Sequence, residues 1–367
     1  MVTNQSQTHP ESERDVELHS SLEESLIDKQ RSIHAASRDL SRAIREQHRH
    51  FRQNIRSLID PQILGSSLQR YREIKKQFAD IPNRFQQNPS GQNEATTYRK
   101  KLARQVHEFY HGLGIDAQNA RSLRQQRLNA IKSVLQGYIK SDDETPQRPA
   151  QEAPTSTSNP WQTRIPPYDG RWEWHSGDGS LPGWSVDARA WAETGLVELS
   201  SDIFNAPWTL DEDEWVKMES MAEVGHWYRM PAAGKVEAWV VLRQKKTQYG
   251  GGLQDQSGCS DGYAQQLSRA YLWILAPEIG WGTTQYSTIH HIERNTDEDT
   301  YWSDTHPANI ENKYIVSKEA YGANAFIYVA AGVHDLHSFT VNDMSFFGSM
   351  NSQWIVDRVW LKSTGAA

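Results

Sequence analysis

The segment HEFYHGLG at residues 107–114 has the spacing of a metal site. His107 and His111 would lie one helical turn apart, and Glu108 stands between them. Two imidazoles placed in this way can hold a zinc ion on one face of a helix, and the carboxylate can activate the zinc-bound water. The chemistry that this pattern would support is hydrolysis, with Glu108 as the general base.

The residues after the second histidine extend the match. Gly114 follows His111 by three positions, and this extended pattern resembles the signature of the metzincin metalloproteases. The resemblance implies a zinc metallopeptidase that holds its metal with His107 and His111. It is confined to residues 107–114, because Ala117 stands where that family has its third ligand.

The charges around the motif favour a different interpretation. On a helical wheel, His107 and His111 share a face with Lys100 and Arg104. Those cations repel a divalent metal and cannot accept a hydrogen bond from a ligating imidazole. The glycines that follow are typical of a helix end. We therefore expect no catalytic residue, no bound metal and no cofactor, and we assign Lys100, Lys101 and Arg104 to contact with an anionic partner.

Tryptophan is confined to one part of the chain, since all 14 lie at or beyond Trp161. Exposed aromatic side chains on a β-sandwich can stack against sugar rings or pack against an apolar partner. Most of these residues lie within strand patterns and are expected in the core. The candidates for ligand binding are those flanked by glycine and by acidic or polar residues, namely Trp172, Trp174, Trp281 and Trp302.

The net charge of -7 conceals two regions of opposite sign. Residues 1–160 carry 24 Lys and Arg against 19 Asp and Glu, whereas residues 161–367 carry 15 against 27. Such a division predicts two kinds of domain, of which the basic one prefers an anionic partner such as nucleic acid or lipid headgroups. The single cysteine, Cys259, excludes an internal disulfide.

The basic region has the apolar spacing of helices. Between Leu22 and Leu58 the apolar positions recur in steps of 4 and 7, which predicts a long helix with one narrow seam. Shorter helical patterns follow, and prolines separate them. The seam could pack within the chain's own helical bundle or pair as a coiled coil with another copy.

The acidic region has the pattern of short strands separated by Gly, Asn, Asp and Pro. The predicted fold is therefore α+β and multidomain, with an N-terminal helical bundle or coiled-coil-like domain and a C-terminal antiparallel β-sandwich of jelly-roll type. The boundaries that we predict are a polar tail at 1–20, a basic α-helical domain at 21–140, a proline-rich linker at 141–167, and a Trp-rich β-sandwich at 168–364.

These features favour a non-enzymatic assembly or recognition protein. The basic helices would dock an anionic partner, a protein partner or a second copy of the chain, and the sandwich would present a binding surface, with a glycan as one candidate ligand. The alternatives are a membrane-acting or pore-forming toxin with a receptor-binding sandwich, and a zinc hydrolase of the HExxH type. No apolar run predicts a transmembrane segment or a Sec signal peptide, so we expect a soluble protein that is cytoplasmic or released by another route.

Overall fold

The computed structural model describes two long helices and fourteen strands. The described residues are 13–58, 66, 69–70, 73, 101, 105, 108, 112, 117–142, 162–180, 183–203, 214–255, 261–276, 280–281, 284–296, 300–304, 311–313, 316–323, 325–342 and 344–365. The helices are α1 (Glu13–Ser57) and α2 (Ala117–Asp142). The strands are β1 (Gln162–Arg164), β2 (Gly170–Gly179), β3 (Trp184–Trp191), β4 (Leu196–Ile203), β5 (Glu214–Arg229), β6 (Gly234–Asp255), β7 (Asp261–Ala276), β8 (Gly280–Trp281), β9 (Gln285–Thr296), β10 (Thr300–Asp304), β11 (Glu311–Lys313), β12 (Val316–Tyr321), β13 (Phe326–Asn342) and β14 (Met344–Gly365).

The strands form two antiparallel sheets that face each other. Sheet A has the order β10-β6-β14-β4-β3, with β1 on β14 and with β11 and β12 on β6. Sheet B has the order β2-β5-β13-β7-β8, with β9 also on β7. Apolar residues of both sheets meet in one buried cluster between them, which includes Val240 and Trp354 of sheet A and Val329 and Leu272 of sheet B. The predicted β-sandwich is confirmed.

The predicted helical bundle is wrong for the helices that the structure describes. α1 and α2 lie against each other and against the outer face of sheet B, so they are part of one packed body with the sandwich. The narrow seam of α1 buries Leu40 and Ile44 against α2 and strand residues such as Leu336. A seam on one helix predicts that a partner exists but not which element it is. The helices expected between α1 and α2 lie almost wholly outside the described residues.

Neither described helix is long and apolar enough to cross a membrane.

An ionic network lies where the helices cover sheet B. Lys217 and Glu219 of β5 are 2.7 Å apart, and both side chains are fully buried. Glu219 also contacts Nε2 of His334 at 2.8 Å and accepts a hydrogen bond of 2.6 Å from Tyr138 of α2. Arg269 donates to Nδ1 of His334 at 2.8 Å. Because arginine can only donate, Nδ1 accepts and Nε2 carries the proton that reaches Glu219.

At the same interface, the pKa of one carboxyl group is lowered and the pKa of another is raised. Burial alone would raise the pKa of Glu219, but the ammonium of Lys217 and the hydrogen bond from His334 hold it well below its usual range. Burial raises the pKa of Glu223 to about 7, although Trp273 donates to it at 2.6 Å and Lys29 of α1 lies nearby. One carboxylate is therefore ionised, and the other holds a proton close to neutral pH.

Between the sheets, a band of buried polar side chains separates two apolar clusters. In this polar band, Ser201 and Gln266 contact the two ring nitrogens of His337, each at 3.0 Å, and Trp302 donates to Gln266 at 2.9 Å. Burial lowers the pKa of His337 to about 3. That imidazole is therefore neutral and joins β13 to both sheets through hydrogen bonds.

Asp335 lies in the same polar band, two residues before His337 on β13. It is 2% exposed, and Ser352 of β14 donates to it at 3.2 Å. Burial raises the pKa of Asp335 to about 7, and the neighbouring serine hydroxyls offset this only in part. The carboxyl group is thus close to the balance between its neutral and charged forms at neutral pH.

Candidate functional site

The outer face of sheet A carries polar side chains while its inner face is buried. On β4, Val197 and Leu199 point into the core and are at most 2% exposed. Glu198 and Ser200 alternate with them and face outward. No helix of the described residues packs on this outer face to the extent that α1 and α2 pack on sheet B. In the part of the chain that the structure describes, the outer face of sheet A around β4 is therefore accessible, whereas Trp239 and Trp360 at another part of this face are buried.

The polar side chains of this face are aligned in rows that run across four strands. Strand pairing places residues of β3, β4, β14 and β6 side by side. The first row is Asp187, Ser200, Asn351 and Gln248, and the second is Arg189, Glu198, Gln353 and Lys246. Neighbouring strands lie about 4.8 Å apart, so each row extends about 14 Å across the sheet.

A cavity of about 390 Å³ lies over the two rows and is lined by all eight of their side chains. A second cavity of about 510 Å³ adjoins it at the sheet edge between β2 and β3. Asp187 and Arg189 line both cavities, so the two form one continuous depression, which we call the sheet A groove. Its size falls in the range of small-molecule and cofactor sites.

The edge of the groove is held by side chains of β2 that bond to the backbone of β3. Arg171 donates to the carbonyl of Ala190 at 2.8 Å, and the amide of Ala190 donates to Glu173 at 2.8 Å. Arg189 donates to Asp187 at 2.8 Å. These bonds fix the charged groups before any ligand arrives, which reduces the entropy that binding would cost.

The charges of the groove balance. Arg171, Arg189 and Lys246 face Glu173, Asp187 and Glu198. A polyanion or polycation gains nothing from such a surface, whereas a neutral molecule with many hydroxyl groups can both donate and accept along the rows. The arrangement is that of a binding surface.

Acid–base catalysis has a candidate pair elsewhere, in Glu219 and Glu223 on the outer face of sheet B. Their pKa values are driven apart, as those of a catalytic acid and base are. Both side chains are at most 1% exposed beneath the helices. Burial of this degree excludes a substrate from both carboxyl groups in this structure.

The four tryptophan candidates are dispersed. Trp174 lines the groove at its β2 edge, and its ring stacks on His34 of α1 at 5.2 Å between centroids. Trp172 packs in the half-buried cluster between sheet B and α1. Trp302 is 8% exposed and stacks on Phe339 in the core. The backbone of Trp281 pairs with Leu275, and its side chain is outside the described residues.

The histidines of the zinc motif, His107 and His111, lie outside the described residues, and Glu108 is an exposed helical position. Within the part of the chain that the structure describes, no three His, Cys, Asp or Glu side chains form a metal-binding group. Of the basic residues assigned to an anionic partner, Lys101 is exposed on a helical turn, and Lys100 and Arg104 are outside the described residues.

Apart from Trp174 at its edge, sequence reasoning missed the residues of the sheet A groove. Their signal is the polar half of an alternating strand pattern, as in "VDARAW" and "VELSSD". That pattern marks any solvent-facing strand. Only the pairing of β3, β4, β14 and β6 reveals that four such patterns meet in register and line a cavity.

Similarity to known proteins is slight. No family model matches this sequence, and no curated protein matches it. Among solved structures, the isomalto-dextranase of Arthrobacter globiformis in complex with panose aligns at 8% identity over 50% of this chain and 34% of that chain, with a TM-score of 0.15. The enzymatically active domain of tailspike protein 4 from bacteriophage CBA120 aligns at 6% identity over 47% of this chain and 19% of that one, with a TM-score of 0.13.

A family 29 carbohydrate-binding module aligns at 10% identity over 47% of this chain and 90% of that module, with a TM-score of 0.11. The alignments span only a third or less of the isomalto-dextranase and tailspike chains. Several of these structures are of proteins that bind or cleave glycans. At such TM-scores the alignments establish neither a common fold nor a shared ligand, so the case for any function rests on the residues of this chain.

Proposed function

We propose that this protein is a non-enzymatic recognition protein that binds a neutral glycan in the sheet A groove. The observation that carries the proposal is the pair of cross-strand rows that line the cavity of about 390 Å³. A glycan presents hydroxyl groups that donate and accept in alternation. The amides, hydroxyls and balanced charges of the rows can match both roles.

Charge-assisted hydrogen bonds would supply most of the affinity. Each bond between a sugar hydroxyl and a charged group contributes about 1.5–3 kcal/mol. Asn351 adds an amide whose position is already fixed, because it donates to Asp202 at 3.3 Å and to Ser349 at 2.5 Å. A groove held in this way binds without large rearrangement of its backbone.

The test is binding of the full-length protein to a panel of neutral oligosaccharides, measured by calorimetry. Arg189→Ala is expected to weaken binding of any ligand found by at least about tenfold, which is the loss of about one charge-assisted hydrogen bond. Asn351→Ala is expected to weaken it by up to about tenfold, because a neutral amide forms a weaker hydrogen bond with a sugar hydroxyl. Arg358→Ala is the matched control, since Arg358 is an exposed arginine of the same sheet outside the groove. Binding that is unaffected by both groove variants would refute the proposal.

A second candidate function is contact with a polyanion through α1, in keeping with the basic character of the helical region. Six exposed arginines recur in steps of 4 and 3 along this helix: Arg38, Arg42, Arg45, Arg49, Arg52 and Arg56. They form a stripe about 27 Å long on the exposed side of the helix, in which Arg42 pairs with Asp39 and Arg45 pairs with Asp178 of β2, each at 2.8 Å. Such a stripe matches the phosphate spacing of a nucleic acid better than a compact anion.

Fluorescence anisotropy with a labelled single-stranded oligonucleotide tests the stripe. Binding is expected at low salt and should fall steeply between about 50 and 200 mM salt, because counterions are released on binding. Arg49→Glu combined with Arg52→Glu should abolish it, whereas Arg358→Glu should not. Binding to anionic vesicles but not to the oligonucleotide would assign the stripe to lipid, and binding to neither would remove this candidate.

A further inference from the structure

Two aromatic side chains stand exposed on the same face as the sheet A groove. Tyr301 of β10 is 58% exposed and Phe347 of β14 is 44% exposed. Their ring centroids are 6.2 Å apart, with 35° between the ring planes. Adjacent exposed aromatic rings on a sheet keep apolar area in water at a cost in free energy, and such patches mark interaction sites more often than solitary apolar residues do.

Gly252 of β6 lies directly between the two rings. Strand pairing aligns Tyr301 with Gly252 and Gly252 with Phe347. A Cβ atom at Gly252 would lie 2.7 Å from a ring atom of each. Side chains do not tolerate so close a contact. The absence of a Cβ at Gly252 therefore allows both rings to approach the backbone of β6. The result is a broad aromatic floor, which we call the aromatic platform (Tyr301, Gly252, Phe347).

The aromatic platform continues the rows of the groove. Between them lies a row of small polar positions, Ser303, Gly250 and Ser349, which the same strands place in register. Six residues of β14 separate Phe347 from Gln353, which is about 20 Å at the rise of a strand. An extended ligand that followed β14 and β6 would meet hydrogen-bonding rows first and the aromatic rings at its far end.

We propose that the aromatic platform is a stacking subsite for one end of an extended, neutral oligosaccharide whose other end occupies the sheet A groove. The proposal rests on the glycan function proposed above. The C–H face of a pyranose ring is apolar and packs on an aromatic face, while its hydroxyls point sideways. Ser303 and Ser349 lie beside the platform, where they can form hydrogen bonds with these hydroxyl groups. The platform carries no charge, so it adds no electrostatic attraction for an acidic or sulfated sugar.

Length dependence of affinity is the measurement that tests the subsite. The full-length protein is titrated with β-1,4-linked glucose, xylose, mannose and galactose oligomers, from disaccharide to hexasaccharide. For wild-type protein we expect affinity to rise by about tenfold when the oligomer becomes long enough to reach the platform, in line with one aromatic stacking contact. Tyr301→Ala combined with Phe347→Ala should remove that rise and leave the affinity for short oligomers unchanged.

Conservative variants separate stacking from folding. Tyr301→Phe and Phe347→Tyr keep the rings and should retain the length dependence. One outcome would refute the subsite and leave the groove proposal intact. In that outcome oligomers bind, Arg189→Ala weakens their binding, and the double alanine variant still shows the rise in affinity with oligomer length. If no oligomer of the panel binds wild-type protein, the groove and the subsite are refuted together.

Discussion

Replacement of Glu219 by leucine is expected to lower the free energy of unfolding by about 3–5 kcal/mol, the cost of leaving a buried charge without its partner. Among the described residues, the ammonium of Lys217 would keep Ser37 of α1, to which it donates. His334 and Tyr138 would each lose a hydrogen bond as well. Urea unfolding at neutral pH, followed by far-UV circular dichroism, measures the loss as a shift of the midpoint.

Two further variants show whether the loss arises from the uncompensated charge. Glu193→Leu changes an exposed carboxylate in the turn between β3 and β4 and should alter stability by less than about 0.5 kcal/mol. Lys217→Met added to Glu219→Leu removes both charges and should recover part of the stability, because a buried pair exchanged for apolar side chains costs little. A double variant less stable than Glu219→Leu would contradict this account.

The second large effect is a dependence of stability on pH that originates at Asp335. Its folded-state pKa of about 7 lies above the ordinary value of 3.8, so the folded state holds the proton more tightly than the unfolded state. The free energy of unfolding therefore falls as pH rises from about 4 to about 7 and is flat above that. The interval between the two pKa values corresponds to about 4 kcal/mol.

Asp335→Asn isolates this contribution, because the amide resembles the neutral carboxyl group in shape and cannot ionise. We expect the variant to gain on wild-type protein as pH rises and to be the more stable of the two at about pH 8. Asp39→Asn, at an exposed position of α1 with a side chain 64% exposed, is the control, and its stability should run parallel to wild type. Parallel curves for Asp335→Asn as well would show that this carboxyl group does not govern the effect. Glu223 also has a raised pKa, but it is present in all three proteins. Its contribution to the pH dependence of stability therefore cancels when the curves are compared.

Local periodicity in the sequence predicts the element types well. The steps of 4 and 7 predict the long helix, and its seam buries Leu40, Ile44 and Phe51. Alternation predicts the strands and the opposite orientations of His334 and His337, of which the first faces α2 and the second faces the core. What periodicity cannot express is which surface a seam meets. The bundle prediction failed for that reason, since the seam meets sheet B.

The site was harder to predict because it depends on contacts between residues distant in sequence. Tryptophans flanked by glycine and polar residues were the natural candidates, yet Trp302 is held in the core by a hydrogen bond to Gln266. The groove instead uses ordinary polar residues, and the exposed aromatic pair consists of a tyrosine and a phenylalanine. Asp187 and Gln248 are 61 positions apart in the chain. They belong to one cross-strand row because β4 and β14 lie between their strands in the sheet.

The helices that cover sheet B also determine the valency of the molecule. A sandwich open on both faces could hold two polymer chains at once, but α1 and α2 occupy one of its two faces. If the sheet A groove binds a glycan as proposed, a single copy with this groove on its open face would coat a polysaccharide without linking two polymer chains. Cross-linking, and the gain in avidity that comes with it, would require a second copy joined so that both grooves point outward. Turbidity of a polysaccharide solution on addition of the protein would thus report self-association rather than binding.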